Sequence, residues 1–318
     1  MSERDDVLDC LIVGGGPAGL VAAVYLGRFR RRALLVDEGA SRLAMIPKSR
    51  NVIGFPDGIA GTELLERMRL HAASFGTPLQ AGRVDELRQL EHGDFEASMG
   101  SQRLRAHTVL LATGARDLEP EVGGLAASLK AGVVRYCPVC DGYETRGRRV
   151  AVLGREIHGL RESAFLAGFE GQVTWLSMGS QQAVAQRDLL RLQQLEVRIA
   201  DGEPRHVHCD PGGEVTVEMQ DGSRLTFDML YPAFGLKHAS HLATGLGARA
   251  NELGQLLVDE HCQTNVPGLY AAGDVVAGLN QINVAAGHAA IAATAIHNSL
   301  VTPARATSKA RSGSRFSP

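Results

Sequence analysis

Short apolar runs that each break at a glycine-bearing turn set the rhythm of this chain. The first, Asp9-Cys10-Leu11-Ile12-Val13, stops at Gly14-Gly15-Gly16-Pro17-Ala18-Gly19. Apolar residues then recur at helical spacing over residues 20–28, and Arg32-Ala33-Leu34-Leu35-Val36 reads as a second strand ending in Asp37-Glu38. The pattern predicts a β-α-β unit. About 140 residues later, Arg149-Val150-Ala151-Val152-Leu153-Gly154 opens a second strand-turn-helix, whose next strand is Val173-Thr174-Trp175-Leu176. Residues 109–115 read as a buried strand breaking at Thr113-Gly114, and Leu269-Tyr270-Ala271-Ala272-Gly273-Asp274 repeats that design near the end.

The first turn carries G-x-G-x-x-G at Gly14, Gly16 and Gly19, with an acid about 20 residues further on. Gly14 permits the tight turn, Gly16 lets backbone approach a pyrophosphate, and Gly19 allows close helix packing. Pro17 and Ala18 open the helix, whose N-terminal N–H groups face the anion. Asp37 is the expected partner of the adenosine ribose, with Glu38 the alternative. The repeat implies an α/β fold of two Rossmann-like, three-layer nucleotide-binding domains, the second inserted into a discontinuous first. Expected boundaries are 1–117 with 248–301 for the first domain and 118–247 for the second. Residues 302–318, rich in Ser, Ala and basic side chains and lacking acids, read as a disordered tail.

A length of 318 residues suits two domains, and 44% hydrophobic residues suffice for ordinary cores. A net charge of -2 leaves no electrostatic footprint for nucleic acid or a membrane surface. The polar start, Met1-Ser2-Glu3-Arg4-Asp5-Asp6, is unlike a signal peptide, and no uninterrupted apolar run reaches about 18 residues. A cytoplasmic protein is expected.

Five cysteines are odd in number and scattered, which argues against a secreted disulfide framework. One close pair stands out, in Cys137-Pro138-Val139-Cys140-Asp141-Gly142. The C-x-x-C turn brings two sulfurs together, and Asp141 beside them can move the proton that each redox cycle requires. A half zinc site is the other reading of C-x-x-C, but no second C-x-x-C or Cys/His pair at suitable spacing supports it. In His206-Val207-His208-Cys209, a strand would put both histidines on one face and Cys209 on the other, a poor metal site.

Together these stretches, with Asn51-Val52-Ile53-Gly54-Phe55-Pro56, Ala112-Thr113-Gly114, and Ala272-Gly273-Asp274 followed by Gln281, resemble the low-molecular-weight thioredoxin reductases. The likeness runs from residue 8 to about residue 300. It implies FAD in the first unit, held through Asn51, Thr113, Gly114, Gly273 and Asp274, with Gln281 and Ile282 near the flavin ring. It implies Cys140 as the flavin-facing thiol, Cys137 as the interchange thiol, Asp141 as acid/base, a thioredoxin-like protein or small dithiol as partner, and a homodimer. His288 is a weaker candidate for an auxiliary acid/base.

The chain departs from that family where NADPH should bind. The second fingerprint reads Gly154-Arg155-Glu156-Ile157-His158-Gly159, which puts Glu156 where backbone should approach a pyrophosphate. Ser177-Met178-Gly179 and Ala183 stand where a His-Arg-Arg cluster and a further Arg would hold the 2′-phosphate. NADPH is therefore doubtful as the ordinary donor. The expected activity is FAD-dependent exchange between flavin and a dithiol or disulfide. A conventional NADPH-dependent thioredoxin reductase and a flavin-binding redox sensor stay open as alternatives.

Overall fold

The computed structural model describes residues 7–210 and 212–301. The acidic start and the basic tail at 302–318 lie outside the described residues. Strand β1 (Leu8–Val13), helix α1 (Pro17–Arg28) and strand β2 (Ala33–Asp37) form the first β-α-β unit. The two strands are parallel, with Cys10 opposite Ala33 and Val13 opposite Val36. The helix starts at Pro17, earlier than the apolar spacing indicates, because the fixed φ of proline suits the first helical position.

Helix α2 (Gly61–Ser74) leads to the edge strand β3 (Leu79–Ala81), and β4 (Glu86–Gln89), β5 (Phe95–Met99) and β6 (Gln102–Leu111) follow as an antiparallel meander. Strand β6 returns beside β1, giving the order β3-β2-β1-β6-β5-β4. Its last three residues, Val109, Leu110 and Leu111, are buried on both faces and form a continuous apolar run. The strand read over residues 109–115 breaks at the Thr113-Gly114 turn, as the sequence indicates. Strand β6 ends at Leu111, residues 112–114 turn with Gly114 at φ +68°, and β7 (Ala115–Asp117) leaves the sheet.

After β7 come α3 (Leu125–Lys130), the single turn α4 (Pro138–Asp141), β8 (Arg149–Leu153), α5 (Glu156–Ala167), β9 (Gln172–Leu176), α6 (Gln186–Gln194) and β10 (Arg198–Ala200). A three-stranded antiparallel sheet, β11 (Pro204–Cys209), β12 (Val215–Met219) and β13 (Arg224–Phe227), precedes β14 (Met229–Pro232). Strands β10-β9-β8-β14 form a second parallel sheet, the repeat expected from the sequence. Trp175 of β9 is fully buried in it and donates its indole N–H to the Gly154 carbonyl at 2.7 Å. In β11 the His206 and His208 rings stack at 4.1 Å on one face, as a strand requires, and Cys209 is exposed.

Strand β15 (Leu236–His238) runs antiparallel to β7, so the outgoing and returning chains cross between the two sheets as one ribbon. Short helix α7 (His241–Thr244) follows, and β16 (Leu269–Ala271) then pairs with the C-terminal half of β6. A strand from beyond the insertion thus completes the first sheet. The last helix, α8 (Ile282–Val301), shares one core with α1 through Ala285, Ala289, Ala292, Ala293 and Ile296. Its mean hydropathy of 1.2 and 20-residue length meet the criteria for a membrane-crossing segment. The alanine face against α1 accounts for that composition, since small side chains let two helices approach closely, and Asn283, Thr294 and Asn298 lie on the other side.

Candidate active site

The first glycine turn is shaped for a ligand. Gly14 has φ +110°, and a Cβ there would collide with the Ala112 carbonyl. Gly16 caps α1 without a side chain, and a Cβ on it would meet nothing nearer than Ser41 Oγ at 3.4 Å. The first-turn N–H groups of α1 are therefore left without a side-chain cap, in a turn that backbone or a ligand can approach. Asp37 Oδ1 accepts from the N–H groups of Gly15 and Gly39, each at 3.1 Å, so the acid at the end of β2 also braces the turn.

One cavity of about 1170 Å³ joins this turn to the dithiol. That exceeds the roughly 300–1,000 Å³ of ordinary small-molecule pockets and suits a dinucleotide. Gly14, Gly16, Pro17, Ala18, Asp37 and Glu38 line it, as do Thr113, Gly114, Gly273, Asp274, Gln281 and Ile282. Cys137, Cys140 and Asp141 line it too. Gly19 and Asn51 stand behind the wall: Gly19 packs on the Gly14 carbonyl, and Asn51 holds Gln281. The Thr113 hydroxyl points elsewhere, donating to the Ala239 carbonyl at 2.7 Å. His288 is not among the lining residues.

Cys137 and Cys140 form a disulfide across α4, with Cα atoms 5.3 Å apart. Pro138 starts the turn, and the Cys140 N–H closes it on the Cys137 carbonyl at 3.0 Å. Gln281 Nε2 lies 3.4 Å from Cys137 Sγ and 3.5 Å from Cys140 Sγ. Its orientation is imposed from behind. Asn51 Nδ2 donates to Gln281 Oε1 at 2.8 Å, and Ser49 Oγ donates to Asn51 Oδ1 at 3.1 Å, so the Gln281 amide must turn its N–H groups to the sulfurs. The other thiols are set apart. Burial raises Cys10 to about 12 and Cys262 to about 11, far from reactive thiolates.

Asp141 is gripped on both oxygens. Tyr231 O–H donates to Oδ1 at 2.8 Å, and Arg135 Nη1 stands 3.0 Å from Oδ2. Burial pushes the Asp141 carboxyl above its usual range, and the charge of Arg135 and the Tyr231 hydrogen bond oppose that rise. Burial and the neighbouring Asp141 likewise push the Tyr231 phenol upward, so it stays a donor. Sequence reading missed both partners. Arg135 lies two residues before Cys137, a local signal, whereas Tyr231 reaches Asp141 because residues 133–135, just ahead of the dithiol, pair in parallel with Leu230 of β14.

The model of the pyridine nucleotide-disulphide oxidoreductases matches residues 8–289. The chain belongs to this family. It is 31% identical over 323 residues to the thioredoxin reductase of Bacillus subtilis (strain 168), covering 94% of this chain and 96% of that one. Among solved structures, HlmI superimposes with a TM-score of 0.86 at 27% identity, covering 95% of this chain and 94% of that one. The thioredoxin reductase of Streptococcus pyogenes MGAS5005 does so with a TM-score of 0.85 at 25% identity, over 93% and 98%. This pyridine nucleotide-disulphide oxidoreductase is thus an FAD-dependent disulfide oxidoreductase of the thioredoxin reductase-like kind. The side-chain-free turn at Gly16 and the size of the cavity fit FAD.

A second element missed by sequence reading ties the site together. Arg42, in the 3₁₀ turn Arg42–Met45, donates to both oxygens of Asp117 at 2.9 and 2.8 Å and to Asp274 Oδ2 at 2.7 Å. It thereby links the cavity floor to the β7 crossover. Arg42→Ala leaves two partly buried carboxylates without their cation and is expected to cost roughly 3 kcal/mol of stability. Denaturant unfolding of the purified flavoprotein measures it, and a change under about 0.5 kcal/mol would contradict the linking role.

The second fingerprint of this oxidoreductase is hydrogen-bonded to neighbouring side chains and carbonyls. Glu156 adopts φ +46°, a left-handed conformation that glycine reaches without strain. Its N–H donates to Ser180 Oγ at 2.7 Å, and the Ser180 hydroxyl donates to the Ser177 carbonyl at 2.6 Å. Arg155 turns to the Met178 carbonyl at 2.8 Å and to Glu203 at 2.8 Å. Beyond β9, Ser177 and Met178 are buried. Asp201 accepts hydrogen bonds from Ser177 Oγ, Gly179 N and Gln181 Nε2, and these, Ser177 foremost, hold its carboxyl below the usual range. A carboxylate from the end of β10 thus stands against the loop where the resemblance calls for cations.

Proposed function

We propose that this chain exchanges electron pairs between its FAD and a dithiol or disulfide substrate through Cys137 and Cys140, without NADPH as the ordinary donor. The substrate is a thioredoxin-like protein or a small molecule. The observation that carries this reading is the capping of the Glu156 N–H by Ser180. A helix N-terminus that binds pyrophosphate offers free N–H groups, and here the group at the fingerprint's central position is already bonded beneath a carboxylate side chain.

In the proposed roles, Gly14, Gly16, Pro17 and Ala18 receive the pyrophosphate, Asp37 or Glu38 the adenosine ribose, and Asp274 the ribityl chain. Gly19, Thr113, Gly114 and Gly273 keep the walls close, and Ile282 with Gln281 borders the ring. FAD supplies the two-electron partner of the disulfide. Exchange begins when a substrate thiolate attacks one sulfur of the Cys137–Cys140 bond and the other leaves as thiolate. By resemblance Cys137 is attacked and Cys140 leaves. The Gln281 N–H groups, held by Asn51, stabilise charge that develops on sulfur. Asp141 takes the proton of the second substrate thiol and returns it to a cysteine, with Tyr231 and Arg135 fixing its orientation.

A homodimer in the cytoplasm is the proposed working form. Tyr25 of α1 and Ile291 and Val301 of α8 leave apolar surface exposed on two helices packed together, which a second copy of the chain would cover.

Anaerobic titration of the flavin's visible absorbance tests the reading. Dithiothreitol is expected to bleach it, and NADPH at micromolar concentration to leave it unchanged. Rapid bleaching by NADPH would restore the conventional reductase, and bleaching by dithiol without catalytic turnover would favour a redox sensor.

A further inference from the structure

We infer that Glu162 is the proton-holding partner of Asp141, a neutral carboxylic acid that stores the proton moved during thiol–disulfide exchange. It rests on the exchange chemistry proposed above and adds a positioning residue to it. Glu162 lies on α5, within the second nucleotide-binding unit, and its side chain reaches the cavity lined by Cys137, Cys140 and Asp141. Its Oε1 is buried and has no hydrogen-bond partner. An unpaired buried carboxylate is costly, so the group must either be protonated or find a partner during the reaction.

The surroundings of the two carboxyls diverge. Asp141 has Arg135 and Tyr231 on its oxygens, both of which favour the ionised form. The charges acting on Glu162 are those of Asp117 on β7 and Asp141 after Cys140, and both are negative. The cations nearby are committed: Arg42 to Asp117 and Arg135 to Asp141. Glu144, beyond Asp141, adds to the negative field at Asp141, and Tyr231 is a neutral donor. Burial first, then Asp117 and Asp141, raise Glu162 to about 8. Burial raises both carboxyls, but only Asp141 has donors on its oxygens that oppose the rise, which leaves Glu162 as the acid of the pair.

The proton count gives the stored proton a use. Exchange with a dithiol forms one S–S bond in the substrate, breaks the Cys137–Cys140 bond, and carries two protons from substrate thiols to the two cysteines. Asp141 handles one proton at a time. Glu162 passes its proton by way of Asp141 to one cysteine thiolate, and the second substrate thiol returns a proton to Glu162 by the same route, so the two substrate protons still account for the two cysteines and Glu162 ends as it began. The same steps run in reverse when a disulfide is reduced.

Glu162→Gln keeps the shape and the neutral state but removes the exchangeable proton. Anaerobic exchange of the flavoprotein with dithiothreitol, quenched by iodoacetamide and read as alkylation of Cys137 and Cys140, is followed from about pH 6 to about pH 10. The wild-type rate is expected to show an inflection near about 8 beyond that of dithiothreitol itself. The variant should lack that inflection, exchange about tenfold more slowly near pH 7, and converge with wild type at the alkaline end. Thermal unfolding gives an independent readout. The folded-state value lies above the ordinary 4.5, so the stability linked to Glu162 is full below about 4.5 and lost as pH rises through about 8. The melting temperature of Glu162→Gln should therefore gain on wild type across that window. Superimposable rate profiles, or a melting difference that ignores pH, would overturn the role of Glu162 alone. Failure of wild type itself to exchange with dithiothreitol would overturn the underlying function as well.

Discussion

Cys140→Ser is expected to lower dithiol turnover at least about 1000-fold, a loss of about 4 kcal/mol of transition-state stabilisation, while the flavin stays bound. Serine cannot close a disulfide, so the pair can no longer accept two electrons. Cys137→Ser should cost as much, yet the two variants differ in what they trap. If Cys137 meets substrate, the free Cys137 thiolate of Cys140→Ser attacks one sulfur of a substrate disulfide, the other sulfur leaves as thiolate on the substrate, and the mixed disulfide persists as added substrate mass in an intact-mass measurement. Cys137→Ser should trap none. The Gln281 contacts, at 3.4 and 3.5 Å, do not rank the two sulfurs, so trapping is the decisive comparison. Turnover by either variant within tenfold of wild type would remove the disulfide from the mechanism.

Opening the second fingerprint should create NADPH binding. Two unit charges about 4 Å apart at an effective dielectric near 20 repel by about 4 kcal/mol, nearly a thousandfold in Kd. Glu156→Gly removes that charge from the helix start and, because the residue sits at φ +46°, relieves about 1 kcal/mol of left-handed strain. Cations cannot simply be restored at 177 and 178, since Ser177 and Met178 are buried, whereas Ala183 is exposed. Glu156→Gly combined with Asp201→Asn and Ala183→Arg therefore exchanges two negative charges for one positive. We expect NADPH to bind this variant at least about 100-fold more tightly than wild type, with the flavin becoming reducible by it. Calorimetric titration measures the first effect and flavin absorbance the second. Tight NADPH binding by the unmodified chain, or no gain in the variant, would mean that Glu156 and Asp201 are not what excludes it.

Much of the cradle was legible because its parts are contiguous. Gly14, Gly16 and Gly19 act within one turn, and the strand and helix around them are set by local apolar spacing. Cys137 and Cys140 are likewise paired by a single helical turn that Pro138 starts. The break of the strand at Thr113-Gly114 was legible for the same reason. The structure adds that Asn51 holds Gln281 and that the Thr113 hydroxyl donates to the Ala239 carbonyl.

The amino-acid order alone determined the repeated strand-turn-helix design, the thiol pair, and the odd residues at 156 and 177–179. Those features depend on neighbours within a few positions, whose geometry the backbone fixes locally. The tertiary structure decided the rest. It oriented the Gln281 amide through Asn51, placed Tyr231 on Asp141, joined Arg42 to both Asp117 and Asp274, and left Glu162 buried without a partner. It also showed Ser180 closing the helix start at Glu156. These hydrogen bonds join residues 24 to 232 positions apart. Such pairs exist only after sheet order and the crossover ribbon have fixed which loops meet, and no local spacing carries that information.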